Sequence, residues 1–349
     1  MTFKHSNSIR KWGVIAFKAL LSGYLVWFIA TYVDWSSVVD SLRTVKLSFV
    51  VLALLLMIPN IFFHWLKWDY LIRLMYPTIK KRRTFFSAIS GITMDTMLIS
   101  TVGDYAGKIL GLSEIPKGSL VALNFFDKLQ LLVITIFTGS VSFIIMANMG
   151  LFDKATSSIM LIIGWISVIA SIFLLIFSLA PRFYIRFAKF ISRYKNIHTS
   201  DAYQASQILR NEDAFYIFFV NCLKFLTFNT QFYLVLLGFD YLSVNHAFLG
   251  TTAMFFSKSV LNGISISDLS TRGASAVFFF TQMGISATIA LNTAVLVFLI
   301  NRLIPSLGGF VVMLFLDIKY NPIKRRIKLY GIRKNRRTRL PQSNNQISV

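Results

Sequence analysis

Two short polar segments interrupt long apolar runs of this sequence, and each holds an acid and a base four residues apart. The first segment contains Asp104 and Lys108, and the second contains Asp268 and Arg272. Charged side chains are costly in hydrocarbon surroundings, and where they occur they usually mark the path of a substrate or an ion. Two such interruptions, one in each half of a chain, indicate a binding site built from broken helices near the middle of a membrane.

The bases of these segments are suited to binding an anion such as phosphate. Arginine can hold a phosphate through two N–H groups at once, whereas lysine acts as a point charge. A helix beginning near Asp268 would also direct its free backbone N–H groups at an anion. Arg272 is therefore the strongest phosphate-binding candidate, with an ion pair to Asp268 alone as the alternative. Lys258 precedes it in the same segment and can reach the same cavity.

Further polar residues lie within the apolar run that follows the first segment. Asn124 and Asp127 are three residues apart, and Lys128 is four residues from Asn124, so a helix would place them on neighbouring positions of one face. Together with Asp104 and Lys108 they are expected to face an aqueous or headgroup-filled cavity. The alternative is a buried ion-pair network that only holds helices together.

Three other charged residues in apolar runs leave both interpretations open. Asp95 and Lys224 are isolated, and each fits a structural ion pair as well as a functional group. Arg302 lies near the end of the last apolar run, from which its long side chain can extend to the membrane surface.

Signals for an enzyme are weak. The four histidines are scattered without the spacing of metal ligands, and the nucleophile-elbow, Walker and dinucleotide-binding motifs are absent. We therefore expect no metal and no cofactor. Gly103, Gly107 and Gly111 recur every four residues, which predicts close packing of helices rather than a phosphate-binding loop.

The composition is typical of a membrane protein. Of the 349 residues, 55% are hydrophobic and only 14% are charged, whereas soluble domains have about 25% charged residues. The mean hydropathy is +0.64. The net charge of +22 could suit nucleic acid, but the bases lie in loops and in the C-terminal tail. We therefore expect anionic lipid rather than nucleic acid as the partner. With Cys222 alone, no intrachain disulfide can form.

Six apolar runs are long enough to cross a bilayer, which takes about 20 residues in a helix. They cover residues 14–32, 47–66, 118–147, 157–180, 214–238 and 287–316. Lys and Arg number 28 on one side of these spans and three on the other. Because cytoplasmic loops carry the excess of bases, we expect an integral protein of the plasma (inner) membrane with both termini in the cytoplasm.

This orientation constrains two shorter apolar stretches. Segment 84–117 must enter and leave on the cytoplasmic side and segment 247–286 on the outer side, so each is predicted to form a re-entrant hairpin. The predicted fold class is an all-α polytopic membrane protein with six spans, two oppositely oriented hairpins and an inverted repeat. Eight full spans are the alternative, because they leave the termini on the same side.

The chain divides into a membrane domain, 1–316, and a basic cytoplasmic tail, 317–349. The repeat halves of the domain cover about 14–147 and 157–316. Between them, the basic and aromatic segment 181–213 predicts an amphipathic helix on an anionic membrane surface, with a solvated connector as the alternative.

The first polar segment resembles the lysylphosphatidylglycerol synthase transmembrane-region family of flippase-like integral membrane proteins. Members carry a G-[DE]-x-x-[RK] element after an apolar helix and then a D-[RK] pair inside the next span. Here the element runs from Gly103 to Lys108, with the base one position later than the shortest spacing, and the pair is Asp127-Lys128.

The second polar segment carries the resemblance into the other half of the chain. Members show a G-L-G-x-R-E element, and Arg272 matches its arginine. Asp268 replaces a glycine, and Gly273 stands where glutamate is usual, so Asp268 would have to supply the acid from one turn away. The resemblance covers about residues 10–316.

The resemblance implies movement of a phospholipid or a polyprenyl-linked headgroup between the two leaflets. Longer members that make aminoacylated lipid carry an additional soluble synthase domain, so aminoacyl transfer is not implied here. A membrane-embedded transferase with Asp127 or Asp104 as general base and a scaffold that recruits partners through its tail are the alternatives. A homo-oligomer is compatible with each. The expected substrate-binding residues are Arg272, Lys108, Lys128, Asp104, Asp127, Asp268, Asn124 and Lys258.

Overall fold

A computed structural model of the chain describes residues 42–97, 102–180, 208–261 and 268–317, together with Trp27, Thr31 and Asp40. Every regular element in these ranges is a helix, which confirms the predicted all-α fold. Three predicted features lie largely or wholly outside the described residues: the first span, most of the linker helix and the tail.

Among the described residues, five helical stretches are long and apolar enough to cross a membrane. They are Leu47–Met75, Lys117–Asn148, Lys154–Leu179, Asn211–Phe239 and Ala287–Val311. They coincide with five of the six predicted spans. The largest difference is at the end of the first of them, which reaches Met75 rather than residue 66.

The described helices, in chain order, are α1 (Leu47–Leu55), α2 (Met57–Met75), α3 (Lys81–Met97), α4 (Val102–Gly111), α5 (Lys117–Asn148), α6 (Lys154–Leu179), α7 (Asn211–Phe239), α8 (Val244–Leu261), α9 (Asp268–Thr281), α10 (Ala287–Phe298) and α11 (Ile304–Asp317). A five-residue π-helical turn, Leu299–Leu303, joins α10 to α11.

Local signals explain where two of these helices begin. Asp153 precedes α6, and its carboxylate accepts hydrogen bonds from the backbone N–H groups of Ala155 and Thr156. Hydrogen bonds from Thr156 and Ala155 hold the pKa of this exposed carboxyl below its ordinary value. Ser286 caps α10 in the same way, through the N–H of Ile289. Both ends are therefore fixed by the sequence next to them.

Helices α3 and α4 form a tightly packed pair through the predicted glycine repeat. A Cβ atom on Gly103 would collide with the backbone of Met94, and one on Gly107 would collide with the backbone of Ser90. Gly111 faces Ser87 in the same way. The interpretation of the repeat as helix packing is thus confirmed.

Helices α3 and α8, which precede α4 and α9, each pack against a helix of the opposite half of the chain. Helix α8 lies on α5, where Gly139 contacts Phe256 and Ser142 shares a 2.6 Å hydrogen bond with Thr252. Helix α3 lies on α11, where Gly309 leaves no room for a Cβ beside Thr93. These two contacts join the first half to the second.

The buried apolar side chains form two clusters. The larger draws on α1 and on α5 to α10, and the smaller draws on α2 to α5 and on the start of α7. Buried polar residues lie where three helices pass from one cluster to the other: His64 on α2, Asp127 on α5 and Asn221 on α7. Lys67 and Lys224 are also buried, and each follows one of these residues by three positions. A polar layer therefore separates the two apolar clusters.

The burial of Lys67 corrects the second predicted span, which ended at residue 66 and so left Lys67 outside the membrane. Helix α2 continues for two further turns beyond residue 66, and the Lys67 side chain is 1% exposed. The prediction was wrong because polar residues on one face of α2 lower its hydropathy, although that face is covered by other helices.

Candidate functional site

Asp104 on α4 is the centre of the first polar cluster. Its Oδ2 atom lies 3.2 Å from Lys108 Nζ, one turn later, and 3.1 Å from Lys128 Nζ on α5. Asn124 Nδ2 donates to the same oxygen at 2.9 Å. The predicted pairing of Asp104 with Lys108 is present, and the helix that follows supplies both other groups.

The Lys108 ammonium has three neighbours within this cluster. Besides Asp104, it donates to Asn124 Oδ1 at 2.6 Å and lies 4.6 Å from the centre of the Trp68 ring. An ammonium group has three N–H bonds, and these three neighbours match that number. Lys128 is more accessible, with 28% of its side chain exposed above the Tyr105 ring.

A second cluster joins α2, α5 and α7. Lys67 Nζ lies 2.6 Å from Asp127 Oδ1 and donates to Asn221 Oδ1 at 2.8 Å. Lys224, one turn after Asn221, lies 3.1 Å from His64 Nδ1. Asp127 therefore contacts Lys67 and Asn221 rather than the groups around Asp104, although Asn124 is only three residues away.

A third cluster surrounds Asp268 at the start of α9. Its Oδ1 lies 2.6 Å from Lys258 Nζ on α8, and its Oδ2 accepts from Arg272 Nη2 at 3.0 Å. The other two guanidinium nitrogens of Arg272 have no hydrogen-bond acceptor among the described residues. The guanidinium lies 5.7 Å from the centre of the Phe298 ring on α10.

The π-helical turn connects this third cluster to the first half of the chain. Asn301 accepts a 2.6 Å hydrogen bond from Asn60 of α2, and Arg302 forms an ion pair with Asp95 of α3. The charge of Arg302 also interacts with Asp268 and Asp104. Arg302 is therefore paired within the protein rather than extended to the membrane surface, contrary to the sequence interpretation.

The structure distributes the predicted site residues over these three clusters. Lys108 and Arg272 do not contact each other, because each is held by the acid one turn earlier on its own helix. The first cluster contains Asp104, Lys108, Asn124 and Lys128, the second Asp127, and the third Lys258, Asp268 and Arg272.

The family described as Lysylphosphatidylglycerol synthase TM region matches residues 15–309, most of the chain. The chain belongs to this family. The match and the five apolar helices identify an integral membrane protein related to membrane lipids. No curated relative matches the chain.

The match to the Lysylphosphatidylglycerol synthase TM region family extends over both halves of the chain, and each half carries one of the polar segments. Among the described residues, Asp104 and Asp268, the acids of the two polar segments, each bind bases from two different helices. Within the described ranges, no group of three or more His, Cys, Asp or Glu residues could hold a metal ion. The chemistry that these clusters offer is cationic and rich in hydrogen-bond donors.

Sequence reasoning missed several polar partners of this family member, although a signal for them exists. Asn60, His64 and Lys67 are spaced by four and three residues within an apolar run, as expected for one face of a helix. Asn221 and Lys224 repeat the three-residue spacing on α7. A search for polar residues at helical spacing in the predicted spans would have found Asn60, His64 and Asn221. Extending that search by one residue beyond the span at residue 66 would have added Lys67.

Proposed function

We propose that this protein moves a lipid with an anionic headgroup between the two leaflets of the membrane. One observation carries the proposal: in each half, a single aspartate, buried at Asp104 and partly exposed at Asp268, holds two bases from two different helices. Asp104 holds Lys108 and Lys128, and Asp268 holds Lys258 and Arg272. Each of these clusters therefore has one cation more than it has carboxylates. In hydrocarbon surroundings such a surplus favours the entry of an anion.

The proposed arrangement in the membrane is an inverted repeat with two re-entrant hairpins, formed by α3–α4 and by α8–α9. Helix α4 has 10 residues and α9 has 14, so they extend about 15 and 21 Å at 1.5 Å per residue. Both are shorter than the hydrocarbon core of about 30 Å. The reciprocal packing of α3 on α11 and α8 on α5 also supports a repeated unit.

In this proposal the headgroup enters a polar cavity between the halves while the acyl chains remain in the bilayer. Arg272, Lys108 and Lys128 contact the headgroup in turn, and the aspartates keep the bases in position when no headgroup is bound. Lys108 must exchange one of its present partners to take part. The protein resides in the plasma (inner) membrane with cytoplasmic termini, as the distribution of bases favours.

A reconstitution experiment tests the proposal. Vesicles containing the purified protein and a fluorescent phosphatidylglycerol are treated with a membrane-impermeant quencher, and the rate of loss of inner-leaflet fluorescence is measured. We expect Arg272→Ala and Lys108→Ala to slow this rate at least about tenfold, the effect of losing 1.4 kcal/mol. Arg43→Ala is the matched control, because Arg43 forms an exposed pair with Asp40.

The transferase alternative makes a different prediction for the same protein. Mass spectrometry of lipids from cells with and without the protein would then reveal a changed lipid species. Unchanged species with an altered distribution between leaflets would support translocation. Equal rates in vesicles with the wild-type protein, with both site variants and without protein would contradict the proposal.

A further inference from the structure

We propose that Arg272 and the π-helical turn form a subsite for a singly charged phosphodiester, in which Arg272 and Asn301 donate hydrogen bonds to the phosphate oxygens. The inference rests on the proposed function and deepens it, because it names where the headgroup phosphate binds. Neither the π-helical turn nor Asn301 belongs to the motifs of the two polar segments.

Buried donors without acceptors carry this inference. Arg272 is 2% exposed, and its Nε and Nη1 atoms have no acceptor in the described part of the chain. Asn301 is 7% exposed, and its Nδ2 atom also has none. Leaving such buried donors unsatisfied destabilises the protein, and more so when the group is charged. A ligand with several acceptor oxygens would satisfy them together.

The donors belong to neighbouring parts of the fold. The Arg272 guanidinium lies over the ring of Phe298, one turn before Asn301, and the charges of Arg272 and Arg302 interact. Thr293, also on α10, has a buried hydroxyl without a partner among the described residues. Buried donors without partners among the described residues therefore occur on α9, on α10 and in the π-helical turn.

The first polar cluster, around Lys108, is a less suitable phosphate site than the cluster around Arg272. Lys108 Nζ already contacts the Asp104 carboxylate and the Asn124 amide oxygen and lies beside the Trp68 ring. That cluster is satisfied by its own side chains, whereas the Arg272 cluster lacks acceptors. A phosphate gains new hydrogen bonds at Arg272 and would have to displace existing ones at Lys108.

The local charge indicates which phosphate chemistry fits. Three bases, Lys258, Arg272 and Arg302, are matched by two carboxylates, Asp268 and Asp95. The surplus is one positive charge. A phosphodiester carries one negative charge and therefore neutralises the cluster, whereas a dianion would leave it negative.

Asn301 and Arg302 are adjacent in the π-helical turn and contact different helices. Asn301 Oδ1 is fixed by Asn60 of α2, and Arg302 is fixed by Asp95 of α3. Turns of this kind are rare and frequently occur at functional sites. Here the turn holds the amide of Asn301 by its oxygen, which leaves the nitrogen available to a ligand.

Binding to the purified full chain in neutral detergent tests the subsite. The probes are phosphatidylglycerol, diacylglycerol, which lacks the phosphate, and inorganic phosphate. We expect phosphatidylglycerol to bind at least tenfold more tightly than diacylglycerol. Competition by millimolar inorganic phosphate would assign the subsite to free phosphate as well, and its absence would assign it to the lipid headgroup; either result supports the subsite.

Two variants remove the donors with little change of shape. Arg272→Gln and Asn301→Asp are each expected to weaken phosphatidylglycerol binding at least tenfold, and Asn301→Asp keeps the acceptor oxygen for Asn60. The matched controls are Arg43→Gln and Asn148→Asp at exposed positions. If either variant fails to fold, phosphatidylglycerol binding is measured with Arg272→Lys instead. This variant retains the charge and the pairing with Asp268, and it should also weaken binding.

The binding measurement tests the subsite, and the vesicle measurement tests lipid movement, so either can fail without the other. Wild-type affinity in the folded Arg272 and Asn301 variants would overturn the subsite, even if the wild-type protein moves lipid in vesicles. Binding that depends on both residues, without lipid movement by the wild-type protein, would support the subsite and contradict the proposed translocation.

Discussion

Individual buried charges differ in whether they have a carboxylate partner, and this difference decides their energetic role. Lys67 and Asp127 are each 1% exposed and contact each other directly. Lys224 is also buried, but no carboxylate of a described residue lies within ion-pair distance, and its neighbour is the His64 ring. A buried ion pair need not stabilise a protein, yet removing one partner leaves the other buried and uncompensated.

Asp127→Asn is therefore expected to destabilise the protein strongly. Removing one member of a buried pair costs about 3–5 kcal/mol, and the measurement is the free energy of unfolding of the purified protein in detergent. Asp40→Asn is the control, since its pair with Arg43 is mostly exposed and such pairs contribute about 0–1 kcal/mol. Similar losses in the two variants would refute a special role for the buried pair.

Lys224→Met and Lys67→Met are expected to differ in their effect on the free energy of unfolding. Methionine has a similar length, and replacing Lys224 removes a buried ammonium that lacks a carboxylate, so the free energy of unfolding should stay the same or increase. Lys67→Met leaves Asp127 without its base and should lower that free energy by about 3–5 kcal/mol. Thermal unfolding of both variants, side by side, gives the comparison. A large loss in Lys224→Met would indicate a negatively charged partner.

Single helices and their contacts were predictable to different degrees. The spans were found because a run of about 20 apolar residues has the length that a helix needs to cross the hydrocarbon core. The glycine repeat of α4 was interpreted correctly because its spacing is local. The end of α2 was missed because Asn60, His64 and Lys67 make its buried face polar. Which helix covers that face depends on residues far away in sequence.

Because α3 and α4 pack closely at Gly107, even an alanine at this position should destabilise the protein. Alanine usually stabilises a helix relative to glycine by about 0.5–1 kcal/mol, but a Cβ at this position would collide with the Ser90 carbonyl. We expect Gly107→Ala to lower the free energy of unfolding by about 1–3 kcal/mol. Gly308→Ala on α11 is the control, since its Cβ would meet no atom within 4 Å. Equal stability of the two variants would disprove tight α3–α4 contact.

At the scale of the whole molecule, the halves are joined by polar contacts between residues that are distant in sequence. Asn60 and Asn301 are separated by 241 positions, and Arg302 and Asp95 by 207. Sequence patterns identified most of the charged residues but not these pairings. A single sequence gives the spacing within one helix and contains no direct record of which helices become neighbours.

Because Asp95 pairs with Arg302, we expect that reversing the charge of either residue destabilises the protein and that reversing both charges restores part of the stability. Asp95→Arg or Arg302→Asp alone places like charges next to each other and should lower the yield of folded protein and its midpoint of thermal unfolding. The double variant restores an ion pair and should recover part of that loss, with a coupling of about 0.5–3 kcal/mol. Additive losses in the double variant would exclude this contact as a link between the halves.

The course of the first hairpin through the membrane can be tested by labelling single cysteines. In a Cys222→Ser background, Met97→Cys places a thiol at the exposed end of α3, next to the α3–α4 connection, and Tyr241→Cys places one between α7 and α8. If α3–α4 is re-entrant from the cytoplasmic side, a membrane-impermeant maleimide added to intact cells should label Tyr241→Cys and leave Met97→Cys unmodified. An eight-span arrangement would carry Met97 to the outer surface, so labelling of both variants from outside would contradict the hairpin. Labelling of Met97→Cys in permeabilised cells is the required control, because it establishes that the thiol can react.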